Sequence, residues 1–201
     1  MEQEIKEVID FWFGEIRDGF TVEDRSSFWF GSNEDTDRQI KTRFGSLVER
    51  ASRNALDHWG KSAPGRLALV ILLDQFTRNI YRGTGEAFSG DKKALELCRE
   101  GIELGHDKAL PPIQRMFLYM PLEHSENLGD QVLCVALHEE MLQDVAPDKR
   151  EVVRESLNWA LIHKGTIERF GRFPHRNKAL GRRSTEEEER YLRGEHKSFG
   201  Q

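Results

Sequence analysis

Apolar residues in this chain return every three or four positions, the spacing of one helix face. Ile5, Val8, Ile9 and Trp12 begin the pattern, and Gly14 is placed to stop that helix. Ile40, Phe44, Leu47, Val48 and Ala51 repeat it. Ser62 followed by Pro64 supplies a cap and an early-turn proline for a helix carrying Leu67, Val70 and Ile71, ended by Gly83. Ala94, Leu95, Cys98 and Ile102 predict another helix, closed at Gly105. Pro111-Pro112 opens a short helix through Phe117 and Tyr119 that Pro121 should interrupt. Val132, Val135, Ala136 and Met141 mark the next. A long one follows Pro147 through Val152, Val153, Leu157, Leu161 and Phe170. Ser184 and Thr185, with Glu187 and Glu188 three residues on, offer two capping boxes for a last helix. No run alternates as a strand does, and 19–33 reads as a loop. The expected fold is all-α, with antiparallel helix pairs stacked in a single domain over 1–201.

Composition narrows the class. A chain of 201 residues that is 37% hydrophobic and 32% charged is long enough for a sizeable core and fits a helical protein with charged outer faces. A net charge of −5 argues against general attraction to nucleic acid or an anionic membrane. Cys98 and Cys134 form no metal or redox motif, which points to a reducing compartment. The acidic start M-E-Q-E-I-K-E-V-I-D does not read as a signal peptide, and the longest apolar run, 67–73, is too short for a bilayer. A cytoplasmic location is expected.

Against that background two segments stand out: L-D-Q-F-T-R-N-I-Y-R-G-T (73–84) and R-F-G-R-F-P-H-R-N-K-A-L-G-R-R-S-T (169–185). Both mix aromatics with Arg and Asn. Asp74, Arg78 and Arg82 step along one helix, with Gln75 and Asn79 in an adjacent row. One reading is an intrahelical ion pair within a polar network. The other has Asp74 orienting Arg78, leaving Arg78 or Arg82 to grip a carboxylate or phosphate in a fork. Across 164–183, Lys164, Arg169, Arg172, Arg176, Lys178, Arg182 and Arg183 stand against one acid, Glu168. These cations either tie the segment to acidic helix faces and carbonyls, or line a pocket with Asn177. Phe170 and Phe173 read as anchors in the core.

His124, Ser125 and Glu126 follow the proline. Ser125 suits a helix cap, while His124 or His175 would serve as a general base and Glu126 as a base or metal ligand. A metal shared by His124, His163, His175 and Glu126 is the weaker option, because no spacing demands it; His138-Glu139-Glu140 lacks the second histidine of H-E-x-x-H. No phosphate-binding glycine loop and no G-x-S-x-G is present, so no cofactor is named. Three functions follow: binding of a small anionic metabolite or acidic peptide by Asp74, Gln75, Arg78, Asn79, Arg82, Arg172, Arg176 and Asn177; a small-molecule hydrolase with a His base and Arg stabilisation; or a polar lock in an interaction scaffold.

Four segments together carry a resemblance: V-I-D-F-W-F-G (8–14), I-L-L-D-Q-F-T-R-N-I-Y-R-G-T (71–84), R-M-F-L-Y-M-P-L-E-H-S-E (115–126) and R-F-G-R-F-P-H-R-N-K-A-L-G-R-R-S-T-E-E-E (169–188). They resemble the bacterial domain-of-unknown-function family 924 over nearly the whole chain. The resemblance implies an all-helical, right-handed superhelix similar to tetratricopeptide-repeat proteins, and no activity or catalytic residue. Thr77 stands where the family pattern has proline, and Glu123 where it has methionine. Thr77 restores a backbone donor, and Glu123 sets a charge beside His124.

Overall fold

A computed structural model describes residues 1–194. It is all-α apart from one two-residue hairpin. The chain packs as two compact units, one of residues 1–82 and 86–121, the other of residues 83–85 and 122–194. Among the described residues no helix is long and apolar enough to cross a membrane.

The first unit begins with α1 (Glu2–Phe13), which buries Ile5, Val8, Trp12 and Phe13. It ends at Gly14, whose φ of 65° few other residues tolerate. The expected loop at 19–33 is not simply a loop. Asp18 (φ 52°) and Gly19 (φ 84°) turn β1 (Ile16–Arg17) back on β2 (Phe20–Thr21), pairing Ile16 with Thr21 and Arg17 with Phe20. Asp-Gly is favoured there because both central positions need positive φ. A short helix, α2 (Ser26–Phe30), follows, with Asp24 accepting from the Ser26 N–H and hydroxyl.

Asn33 caps α3 (Glu34–Ser52), which buries Ile40, Phe44, Leu47, Val48 and Ala51 as its periodicity requires. Ser62 caps α4 (Ala63–Val70), and its hydroxyl accepts from the Gly65 N–H. The helix then widens into a π-helical stretch (Ile71–Phe76) before α5 (Thr77–Ile80). Thr77 does not give a regular α-helix here: its hydroxyl donates to the Leu73 carbonyl at the end of the widened turn. Residues 65–79 are buried without a gap, so this is the central helix of the unit. Phe11, Trp12, Phe28, Phe44, Phe76 and Phe117 mesh around it with ring centroids 4.9–6.1 Å apart. Tilted and edge-on pairs such as these suit the ring quadrupoles.

After α6 (Asp91–Glu103), α7 (Pro112–Glu123) runs through Pro121 rather than stopping at it. Pro121 forgoes its own bond to the preceding turn, and the helix continues through it to Glu123, so the expected interruption does not occur. This helix belongs to the first unit up to Pro121 and to the second from Leu122.

The second unit is built on a helical hairpin, α8 (Leu128–Asp144) and α9 (Arg150–Phe170). The cap of α8 is Asn127, not Ser125: the Asn127 side-chain Oδ1 accepts from the Gly129 and Asp130 N–H groups. The buried face of α8 is Gln131, Cys134, Val135, His138 and Met141, whereas Val132 and Ala136 face outward. His138 joins the hairpin by bonding the Cys134 carbonyl through Nδ1 and the Ser156 hydroxyl through Nε2, both at 2.9 Å. Gly171 ends α9 in the left-handed region. Thr185 and Glu188 form the capping box of α10 (Glu186–Arg193).

Candidate functional site

The first unit holds residues 73–82 of the earlier polar segment, and the second unit holds the later segment. In the first unit the π-helical stretch carries Asp74 and Gln75 into the interior. Asp74 is fully buried and accepts from Gln75 Nε2 at 2.6 Å, and that amide also contacts Met120 Sδ at 3.4 Å. Arg78 lies 3.2 Å from Asp74 Oδ1 and 2.9 Å from Asp91 Oδ1, and its Nη2 donates to Asp91 Oδ2. Burial opposes the Arg78 charge, but Asp74 and Asp91 outweigh it and its proton is held more tightly than usual. Arg82 forks onto Asp37 through Nε at 2.8 Å and Nη2 at 2.9 Å, and Asn79 Nδ2 donates to the same carboxylate at 2.8 Å. The Asp37 carboxyl is desolvated, yet these bonds hold it below its ordinary range. Within this set three carboxylates, Asp37, Asp74 and Asp91, surround two guanidiniums. Asp37 and Asp91 carry no signal in the sequence beyond lying in the first turns of α3 and α6, where acids suit the helix dipole.

In the second unit several cations also have acids. Arg172 forks onto Glu188 at 2.6 and 2.7 Å, and Asn177 Nδ2 donates to Ser184 Oγ and to Glu188. The Arg172 bonds hold the Glu188 carboxyl down at about 2 against its burial. Arg182 forks onto Glu126 at 2.7 and 3.0 Å, and the Phe173 N–H donates to the same carboxylate at 2.7 Å. Burial would raise Glu126, but Arg182 and the Phe173 N–H keep it low. Glu126 thus latches the 171–182 loop.

A different group gathers on Phe173, which is fully buried. The Arg176 guanidinium lies over its ring, 4.6 Å from the centroid. The His163 and His175 rings each stand 5.6 Å from it, and His124 lies 6.2 Å from His163. Pro174 opens a 3-10 turn (Pro174–Arg176) that brings His175 and Arg176 round the ring. His163, on α9, is buried and donates Nδ1–H to the Trp159 carbonyl at 2.9 Å. Glu123 Oε1 is also within 3.2 Å of that nitrogen. Both oxygens face that one N–H, and burial favours the neutral ring beside Glu123. Burial above all holds His163 well below its ordinary value, and the fields of His124, Arg176 and His175 push it the same way. His124 and His175 are half-buried. Three expected residues, His124, His163 and His175, therefore converge on and around Phe173, whose N–H donates to Glu126. Among the described residues no set of His, Cys, Asp and Glu is arranged to hold a metal ion.

The family model described as "Bacterial protein of unknown function (DUF924)" matches residues 8–196. The chain belongs to this family. A solved structure of a protein of unknown function from Agrobacterium tumefaciens, ATU0120, is similar at 33% identity, covering 96% of this chain and 98% of that one with a TM-score of 0.80. No curated protein matches. The family and its solved relative share the helical fold and leave the chemistry to be argued from the side chains.

Proposed function

We propose that the protein binds a small anion, a phosphate- or carboxylate-bearing metabolite, on the cationic group around Phe173. The observation that carries this reading is the packing of Arg176, His163 and His175 against one buried ring. Groups that can take positive charge repel one another there: after burial, the fields of His124, Arg176 and His175 also push the His163 proton affinity down. A bound anion relieves that repulsion, and in a partly desolvated site the attraction far exceeds that at an open surface. Glu126 and Glu188, the acids bonded to neighbouring parts of the same segment, are occupied by Arg182 and Arg172, and Glu123, 3.2 Å from His163 Nδ1, is the acid that an incoming anion meets. Arg78 and Arg82, by contrast, face three carboxylates, so they fit a polar lock better than an anion grip.

A melting screen against inorganic phosphate, citrate and phosphorylated sugars tests this. Ligand at a hundredfold its Kd stabilises by about 2.7 kcal/mol, roughly 5–10 °C for a chain of this size. Arg176→Ala should abolish the shift, and half-buried His175→Ala should weaken it with the fold intact. Uniform melting across the screen, or full shifts in a folded His175→Ala and Arg176→Lys, would refute anion binding at this group.

A further inference from the structure

The first unit contains a cavity of about 130 Å³ at the C-terminal end of α1, lined by Phe13, Gly14, Glu15, Val22, Glu23 and Arg25. It shares no residue with the group around Phe173. Arg25 is fixed in it. Its Nε donates to the Trp12 carbonyl at 2.9 Å and its Nη2 to the Phe11 carbonyl at 2.8 Å, and the guanidinium lies 4.4 Å from the Phe28 ring centroid. One edge of the fork therefore caps carbonyls at the end of α1. The other end, Nη1, faces Gly14: a Cβ on that residue would lie 3.4 Å from it. Gly14 has φ 65° and ψ −149°, a conformation open essentially to glycine alone, so the cavity keeps its access to the guanidinium. Among the described residues no carboxylate forms an ion pair with Arg25.

The rest of the lining restricts the occupant. Phe13 is an apolar floor and Val22 a half-exposed apolar wall. Glu15 and Glu23 are exposed acids at the rim, and Glu15 also pairs with Arg17 at 2.7 Å. A dianion meets two carboxylates, and a simple cation meets the guanidinium. We propose that this cavity binds a small zwitterion, an α-amino acid with a short aliphatic side chain. Its carboxylate takes Arg25 Nη1, its ammonium faces Glu23 and Glu15, and its short side chain lies against Val22. Desolvation weakens Arg25's hold on its proton and Glu23 offsets this only in part, so the cation gains from a carboxylate partner.

The test is a titration of the ¹⁵N-labelled protein with L-valine, with isovalerate, which lacks the ammonium, and with isobutylamine, which lacks the carboxylate. Valine should give saturating amide shifts at Gly14, Glu15, Val22 and Glu23, and each truncated analogue should bind about tenfold more weakly, the loss of one charge-assisted contact. Glu23→Gln, at an exposed rim position, should weaken valine several-fold with melting unchanged. Arg25→Lys should remove binding; where that variant fails to fold, the analogue series and Glu23→Gln decide. Equal binding of valine and isovalerate, equal binding of valine and isobutylamine, or no shift at about 50 mM valine, far above a millimolar Kd, overturns the proposal.

Discussion

Glu188→Gln should destabilise the second unit in a way that depends on pH. The Glu188 side chain is 2% exposed, receives the Arg172 fork at 2.6 and 2.7 Å, and accepts the Thr185 N–H at 2.7 Å. Hydrogen bonds to a charged group contribute about 1.5–3 kcal/mol. Arg172 is partly exposed, at 29%, and solvent screening puts the pair toward the lower figure. Glutamine keeps much of the capping box, so that ~1 kcal/mol is only partly lost. The sum is about 2 kcal/mol, or roughly 4–8 °C in melting temperature for a chain of this length. The native carboxyl is held at about 2, against roughly 4.3 in the unfolded chain. A carboxyl depressed in the native state contributes its stability in full above the unfolded value, and that contribution fades as pH falls through the native one. The gap between wild type and variant should therefore be widest at neutral pH and close between about pH 4 and pH 2. Thermal melts followed by circular dichroism over that range measure it. A gap that stays constant with pH, or none at neutral pH, would refute the ionic role of Glu188.

Other perturbations follow from single contacts. His163 is buried neutral, so its contribution is whole above about pH 6.5 and is lost as pH falls through its depressed native value; His163→Gln should flatten the melting profile between about pH 7 and 5. Glu126→Ala leaves Arg182 and the Phe173 N–H without their shared acceptor and should cost about 2–4 kcal/mol, read by urea unfolding and by faster proteolysis within 171–185. Gly19→Ala places a Cβ 2.7 Å from Pro112 Cδ at φ 84° and should cost about 1–3 kcal/mol; a stability equal to wild type would contradict the packing of the hairpin on α7.

Much of the helical plan was legible because burial on one face imposes a period that survives in sequence. Gly14, Ser62, Gly105 and Thr185 act as their local chemistry demands. The errors fall where an element is too short to show a period. The five-residue α2 and the two-residue strands had only Asp18-Gly19 to announce them. Pro121 lies inside the last turn of α7, where the rest of the helix holds it despite the backbone donor it lacks. The polar residues were visible as unusual, but their partners were not. Arg82 meets Asp37 across 45 positions and Arg182 meets Glu126 across 56, and only tertiary packing selects those acids from the many in the chain. The convergence of His124, His163 and His175 had the same limit: the residues were identifiable, and Phe173 as their common support was not.

The central claim is that an anion binds where these imidazoles and Arg176 gather. Titration of the histidine ring resonances with and without inorganic phosphate tests it most directly. A bound anion favours the protonated imidazoles, so phosphate should raise the pH midpoints of His124, His163 and His175 together and leave His58 and His106 unmoved. Arg176→Lys should weaken the response. Midpoints for the three rings that are identical with and without phosphate would contradict the account.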